Sequence, residues 1–260
     1  MPATDDTDGT SMMRICWRLT LGPAALCITL VAGGCTTAIT GVAEPARDSA
    51  GIIGIGRSIA QLLPSATELS QVLKGTVDEN EFPPSVGGLD VLSGWAPPGT
   101  DPQCAAVVYP FLKTSYRGST ARAAAQQKWS AIPNKFLVRV GVVALASPHD
   151  ARELFARFVS QWQRCQGKTE VFPHSPEEVG IPDYIKRITD VKTLGAMLTS
   201  VVLLSSSDDP SPLPSERAVG VAYNCILDVE VTEIGRDEAV PPTASHAQDV
   251  VQLMTAKAGA

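Results

Sequence analysis

The sequence is poor in histidine and aromatic residues, and it lacks the motifs that usually accompany catalysis. Three histidines occur in 260 residues, and phenylalanine, tryptophan and tyrosine together make up 5%. No GxSxG elbow, HExxH motif or clustered Cys/His pattern is present. We interpret His149 and His246, near helix starts, as solvated and His174 as a loop residue. We therefore expect no enzyme, no metal and no cofactor, with a hydrolase as the less favoured alternative.

Basic residues are also in deficit. The chain has 21 lysines and arginines against 27 aspartates and glutamates, which gives a net charge of −6 and a pI near 5.1. No stretch clusters lysine and arginine as a phosphate backbone would require. This charge balance argues against a nucleic-acid partner.

Long apolar runs are absent except near the N-terminus. Residues 19–32 form an apolar run preceded by Arg14 and Arg18, the pattern of an export signal. The run ends in Ala-Gly-Gly-Cys35, which resembles a bacterial lipobox. We predict a lipoprotein signal peptide at 1–34, palmitate-type acylation of Cys35 and a lipid anchor on the extracytoplasmic face of the cell membrane.

Alternatives to this assignment remain at the N-terminus. A plain signal peptide or a retained anchor would fit the same apolar run. The acidic leader is unusual for a signal, so translation starting at Met12 or Met13 is a second hypothesis. Residues 35–58 are rich in small residues and predict a flexible membrane-proximal linker. The remaining residues, 59–260, are long enough for a single globular domain.

Cysteine is limited to six residues. Two leave with the signal peptide and Cys35 takes the lipid, which leaves Cys104, Cys165 and Cys225. Three thiols permit one bridge. A bridge between Cys104 and Cys165 would close a loop of about 60 residues and contribute on the order of 4 kcal/mol. Cys225 would then be the odd cysteine.

The best-marked element is a helix at 147–167. Ser147 can cap it, Pro148 suits the first helical position and Asp150 meets the positive end of the dipole. An apolar stripe recurs at helical spacing, so this side should pack on a sheet. Its members are Leu154, Phe155, Phe158, Val159 and Trp162. The opposite, polar side carries Arg152, Glu153, Arg157, Gln161 and Arg164.

The remaining pattern predicts an α+β fold with a largely antiparallel sheet. Residues 136–146 alternate as a strand, and 217–232 read as one long regular strand with Cys225 on its dry face. A capping box at Ser245 and Gln248 opens a C-terminal helix.

Several of these motifs together resemble one family. Cys104, the W-x-x-C-x-G motif that ends at Gly167, and a late Arg217-Ala218…Asn224…Asp228-Val229 pattern are similar to the PknH-like extracellular sensor domain, a module of a mycobacterial Ser/Thr kinase and of free-standing lipoproteins. The resemblance implies a single domain with a curved antiparallel sheet packed by helices. It also implies a cleft for an unidentified ligand and, commonly, a second disulfide, which Cys225 alone cannot form.

The resulting hypothesis is a lipid-anchored, non-catalytic sensor or ligand-binding domain of the mycobacterial cell envelope. Polar side chains on an otherwise dry sheet would orient the ligand, and we place Tyr116, Arg139, Asn224 and Asp228 near it. The alternative for each is an exposed sheet residue or an ion pair. A different function, as a protein-interaction subunit of an envelope complex, would use the loops at 76–100 and 205–215.

Overall fold

The computed structural model describes residues 52–53, 57–77, 83–94, 96–97, 99–130, 136–172, 182–234 and 243–259. The predicted signal peptide, Cys35 and most of the predicted linker lie outside these residues, as does His174. Within the linker, β1 (Ile52–Ile53) and β2 (Arg57–Ser58) pair in antiparallel fashion. The assignment of 35–58 as a flexible linker stays a prediction.

Eight further strands build one sheet in which each neighbouring pair is antiparallel. They are β3 (Ser85–Gly87), β4 (Ala123–Ser130), β5 (Phe136–Ala144), β6 (Thr169–Phe172), β7 (Tyr184–Leu194), β8 (Met197–Ser206), β9 (Leu213–Ala222) and β10 (Cys225–Glu233). Their order is β3-β4-β5-β10-β9-β8-β7-β6. The longer strands lie inside, and short β3 and β6 form the two edges.

Helices cover both faces of this sheet. The helices α1 (Ala66–Leu73) and α4 (Ser245–Gly259) pack on one face, and α2 (Ala105–Val108) and α3 (Pro148–Cys165) pack on the other. Successive strand residues point to opposite faces, so Val142 belongs to the α1/α4 core and Val143 to the α2/α3 core. The predicted α+β fold with an antiparallel sheet is confirmed. No helix among the described residues is long and apolar enough to cross a membrane.

Helix α3 forms as its sequence signals predict. The Ser147 hydroxyl accepts a hydrogen bond from the Asp150 amide at 3.2 Å, and Pro148 opens the helix. Leu154, Phe158 and Trp162 are buried against the sheet. Just past the end, Gly167 takes a φ of +79°, which suits glycine at a chain reversal. This helix presents its polar side to solvent.

The single strand predicted at 217–232 is wrong, because β9 and β10 form a hairpin there. Tyr223 and Asn224 make the turn, and Tyr223 adopts a left-handed φ of 52°. The side-chain amide of Asn224 stabilises the turn by donating a hydrogen bond to the Leu145 carbonyl at 2.8 Å. Because the chain reverses, Val219 faces α3 while Cys225 faces α4. Tyrosine favours strands, so the alternating pattern continued through the turn and concealed it.

The capping box predicted at the start of α4 is replaced by a tertiary cap. The buried Glu216 carboxylate accepts hydrogen bonds from the amides of His246 and Ala247 at 2.7 and 3.1 Å. Its second oxygen lies 2.9 Å from the His246 ring. Ser245 is already inside the first turn. A negative side chain from β9 thus satisfies the helix N-terminus and fixes α4 on the sheet.

We predict that Glu216→Ala lowers the free energy of unfolding by about 2–3 kcal/mol, since it leaves buried amide donors unsatisfied. Ser245→Ala should change it by less than about 0.5 kcal/mol. Urea denaturation of the two variants measures both effects. If Ser245→Ala lowered the free energy of unfolding more than Glu216→Ala does, the predicted capping box at Ser245 would be supported instead.

Candidate functional site

A buried arginine joins the sheet to the helical layer on the α2/α3 face. Arg217, on β9, is fully buried, and its Nη1 lies 2.8 Å from Oδ1 of Asp228 on β10. Its Nε and Nη2 donate to the carbonyls of Val107 and Ala106 at 3.0 and 3.2 Å. The guanidinium carbon also lies 5.6 Å from the centre of the Trp162 ring of α3. One side chain therefore contacts both strands of the hairpin, α2 and α3.

The other oxygen of Asp228 holds the segment that follows α2. It accepts hydrogen bonds from the Phe111 amide at 3.1 Å and from the Tyr116 hydroxyl at 3.5 Å. Burial, followed by the nearby Asp228 charge, raises the pKa of Tyr116 well above its ordinary value. Tyr116 is therefore a neutral hydrogen-bond donor in the folded protein.

Phe111 has a strained backbone that the surrounding structure maintains. Its φ of 56° lies in the left-handed region, where a bulky side chain is disfavoured by about 1–2 kcal/mol. The Phe111 ring lies over Gly141 of β5, where any Cβ atom would collide with it. Glycine at this strand position gives the ring its space, and Asp228 holds the backbone.

The cleft next to this buried network has a volume of about 750 Å³ and opens to solvent. One wall is the polar side of α3, with Arg157, Gln161 and Arg164. The other walls come from the segments around Gln103 and Arg117. We call this the arginine cleft. Among the described residues that line it, none carries a carboxylate.

A disulfide links two walls of the arginine cleft. The predicted bridge between Cys104 and Cys165 is confirmed, with the Cα atoms 5.6 Å apart. Gln103 and Arg164, the residues immediately before these cysteines, both line the cleft. The Gln161 amide adds a hydrogen bond to the Gln103 carbonyl. The α3 wall and the loop wall are thus held together covalently.

A second, smaller cleft of about 190 Å³ lies between α2 and the strands of the same face. Its charged lining includes Arg139, whose Nε is 3.2 Å from Oε2 of Glu230. The Lys186 ammonium lies 4.1 Å above the centre of the Tyr109 ring, and burial lowers the pKa of Lys186. Among its described lining residues, three basic side chains, Lys128, Arg139 and Lys186, share this cleft with the Glu230 carboxylate, whereas the described charged residues of the arginine cleft are all basic.

The structure brings only two of the four predicted ligand contacts together. Tyr116 and Asp228 meet in the buried network, Arg139 lies in the second cleft and Asn224 lies in the β9–β10 turn. A ligand-binding role for these four residues stays a prediction. The arginines of the first cleft were not predicted as a site. For Arg157 and Arg164, the sequence does contain a signal: their spacing with Gln161 places all three side chains on one side of α3.

Candidate catalytic and metal-binding groups are engaged in structural contacts. His149 pairs on the surface with Glu153 at 3.3 Å, and His246 contacts Glu216. Within the part of the chain that the structure describes, no group of three or more His, Cys, Asp or Glu side chains is placed to hold a metal. The thiol of Cys225 is buried, and burial raises its pKa to about 12.

Comparisons with known proteins bear on these observations. A family model described as the PknH-like extracellular domain matches residues 56–257. The chain belongs to this family. The crystal structure of the extracellular domain of PknH from Mycobacterium tuberculosis aligns with 77% of this chain and 94% of that chain at 20% identity, with a TM-score of 0.61. The family resemblance and the fold that it implied are confirmed.

Other comparisons add little. A putative uncharacterized protein from Mycobacterium smegmatis aligns over 75% of this chain and 97% of its own at 11% identity, with a TM-score of 0.33, too low to support a shared fold. Among curated proteins, none matches this chain in sequence. Membership of the PknH-like family makes the chain an extracellular, sensor-type domain.

We predict that removing one partner of the Arg217–Asp228 pair lowers the free energy of unfolding by about 3–5 kcal/mol, because the other charge stays buried. Arg217→Met and Asp228→Asn test each side, and the double variant should lose less than either single variant. Arg139→Met is the matched control, since its ion pair is half exposed and worth at most about 1 kcal/mol. Chemical denaturation measures all four.

If the double variant loses as much as the two single variants combined, the two side chains act independently. That result would contradict the buried pair as the link between hairpin and helices.

A buried carboxylate near the disulfide makes stability pH-dependent. Glu170 of β6 is 7% exposed, and the charged groups near it include the Asp101 carboxylate. Burial and then the charge of Asp101 raise its pKa. The folded state therefore favours the protonated carboxyl. The contribution of Glu170 to the free energy of unfolding is most favourable at low pH and is lost as the pH rises through the folded pKa.

Glu170→Gln should accordingly raise the melting temperature near pH 7. The gain should shrink as the pH falls through the raised folded pKa toward about pH 4.5, below which the carboxyl is protonated in both states. Glu153→Gln, an exposed control on α3, should show no such trend. Melting curves across pH measure the difference. A constant loss of stability in Glu170→Gln at every pH would show that the carboxylate accepts a structural hydrogen bond.

Proposed function

We propose that the protein is a lipid-anchored, non-catalytic ligand-binding sensor of the mycobacterial cell envelope and that the ligand occupies the arginine cleft. The observation that carries the proposal is the cleft itself. Its volume of about 750 Å³ falls in the range of about 300–1,000 Å³ typical of small-molecule sites. Family membership supports the extracellular setting.

The construction of the cleft supports binding rather than catalysis. Its polar groups are guanidinium, amide and hydroxyl groups from α3 and from the segments around Gln103 and Arg117. None of the described lining residues is a histidine, cysteine or acid that would act as a general base or nucleophile. The cross-link between the walls keeps the site in one shape, which lowers the entropy lost on binding.

The anchor is proposed from sequence. Arg14 and Arg18 precede the apolar run, and Cys35 follows small residues as in a lipobox. Two acyl chains on Cys35 would hold the protein stably at the membrane, whereas one chain would not. The sensor domain would then stand on the extracytoplasmic face.

Native mass spectrometry of the protein purified gently from its own membrane tests the proposal. We expect a non-covalent adduct that denaturation releases, and a denatured mass that corresponds to a chain starting at an acylated Cys35. Thr114→Trp, which fills the cleft, should abolish the adduct. Lys113→Trp is the neighbouring control outside the cleft lining and should retain it.

A clean apo mass, or an adduct that persists in Thr114→Trp, would overturn the cleft as the ligand site. A chain starting at another residue and without lipid would overturn the anchor.

A further inference from the structure

We infer that the arginine cleft binds a multiply charged oxyanion, with phosphate as the group that its guanidinium side chains recognise. The role of the cleft as a ligand site is the proposed function, on which this inference rests. It goes further by assigning the chemical class of the ligand. The inference rests on three side chains that line the cleft, Arg117, Arg157 and Arg164.

These arginines converge from two walls. Arg157, Gln161 and Arg164 are spaced by four and three residues, which places them in one row along α3. Arg117 comes from the facing segment that follows Tyr116. An anion between the walls would meet donors from both sides, which suits the planar, five-donor geometry of guanidinium groups.

No carboxylate among the described residues neutralises the charges of the three arginines. Among the described residues, none of them lies within 4 Å of a carboxylate, whereas Arg139 and Arg217 each have an acidic partner. Within the described part of the chain, the hydrogen bonds of Arg157 are two long ones, at 3.4 and 3.5 Å, to the carbonyls of Ser115 and Arg117. These contacts position Arg157 and leave most of its donors available.

Nearby acids are occupied elsewhere. The Asp101 carboxylate accepts from the Gln103 amide and from Lys168 at 2.9 and 3.0 Å, and these partners lower its pKa. On α3, Glu153 pairs with His149. A concave surface of one sign in a chain of net charge −6 therefore attracts an anion locally, against the overall charge.

The geometry is also preorganised. Arg164 precedes Cys165, whose disulfide fixes it relative to the Gln103 wall, and α3 packs on the sheet through Trp162. Charged hydrogen bonds to a ligand are therefore made without reordering the backbone, which is the condition under which they contribute most to affinity.

Titration calorimetry of the full chain with pyrophosphate tests the inference. We expect saturable binding that weakens with added salt. Arg157→Gln and Arg164→Gln should each weaken binding about tenfold or more, because each removes a charged donor. Arg152→Gln removes the same charge from the same helix outside the cleft lining, and it should bind as the parent does. Near-UV circular dichroism confirms that each variant is folded.

Vesicles distinguish the source of the phosphate group. Binding of the full chain to phosphatidylcholine vesicles is compared with and without phosphatidic acid, so that any contribution of the anchor cancels. A gain with phosphatidic acid that Arg157→Gln abolishes would assign the cleft to a lipid headgroup. Pyrophosphate binding without that gain would assign it to a soluble phosphate compound.

No pyrophosphate binding, or an equal loss in Arg152→Gln, would overturn the inference. If native mass spectrometry then showed an uncharged adduct that Thr114→Trp removes, the proposed function would stand and only the ligand class would be wrong. If it showed no adduct, both would fail.

Discussion

The guanidinium of Arg217 is the constraint on which this face of the structure depends. A charge buried in the protein interior is tolerated only if it is paired and its donors are satisfied. Arg217 meets this requirement with the Asp228 carboxylate and with the carbonyls of α2. Asp228 in turn holds the Phe111 backbone and Tyr116. The position of α2 and of the segment after it thus follows from one buried pair on the β9–β10 hairpin.

The arginine cleft is built on that frame. One wall continues from the segment that Asp228 holds, because Leu112, Ser115 and Arg117 follow Phe111 directly. The other wall is α3, which packs over Arg217 through Trp162 and is tied by the disulfide to the wall around Gln103. In the interior, Arg217 and Asp228 pair with each other. The charged side chains that line the cleft have no acidic partner among the described residues. This contrast separates the residues that hold the fold from those available to a ligand.

Sequence reasoning succeeded where the signals are local. The capping serine and apolar stripe of α3 and the alternation of β5 were predicted. The bridge between Cys104 and Cys165 joins distant segments, and it was predicted from the small number of cysteines left in the mature chain. It failed where contacts between distant segments determine the local structure. The turn at Tyr223 was hidden by strand propensity, so Arg217 and Asp228 appeared to lie on one strand rather than on paired ones. Glu216 as a helix cap and Arg117 as a neighbour of α3 depend on contacts between distant segments, which no local pattern encodes.

Arginine side-chain NMR during titration with pyrophosphate tests the central claim most directly, because it reports each guanidinium separately. The account predicts that the Nε–Hε signals of Arg117, Arg157 and Arg164 shift to saturation together. Those of Arg152 on the helix surface and of the buried Arg217 should stay in place. Shifts confined to Arg139 in the second cleft, or spread equally over the exposed arginines, would contradict a specific oxyanion site between α3 and its facing loops.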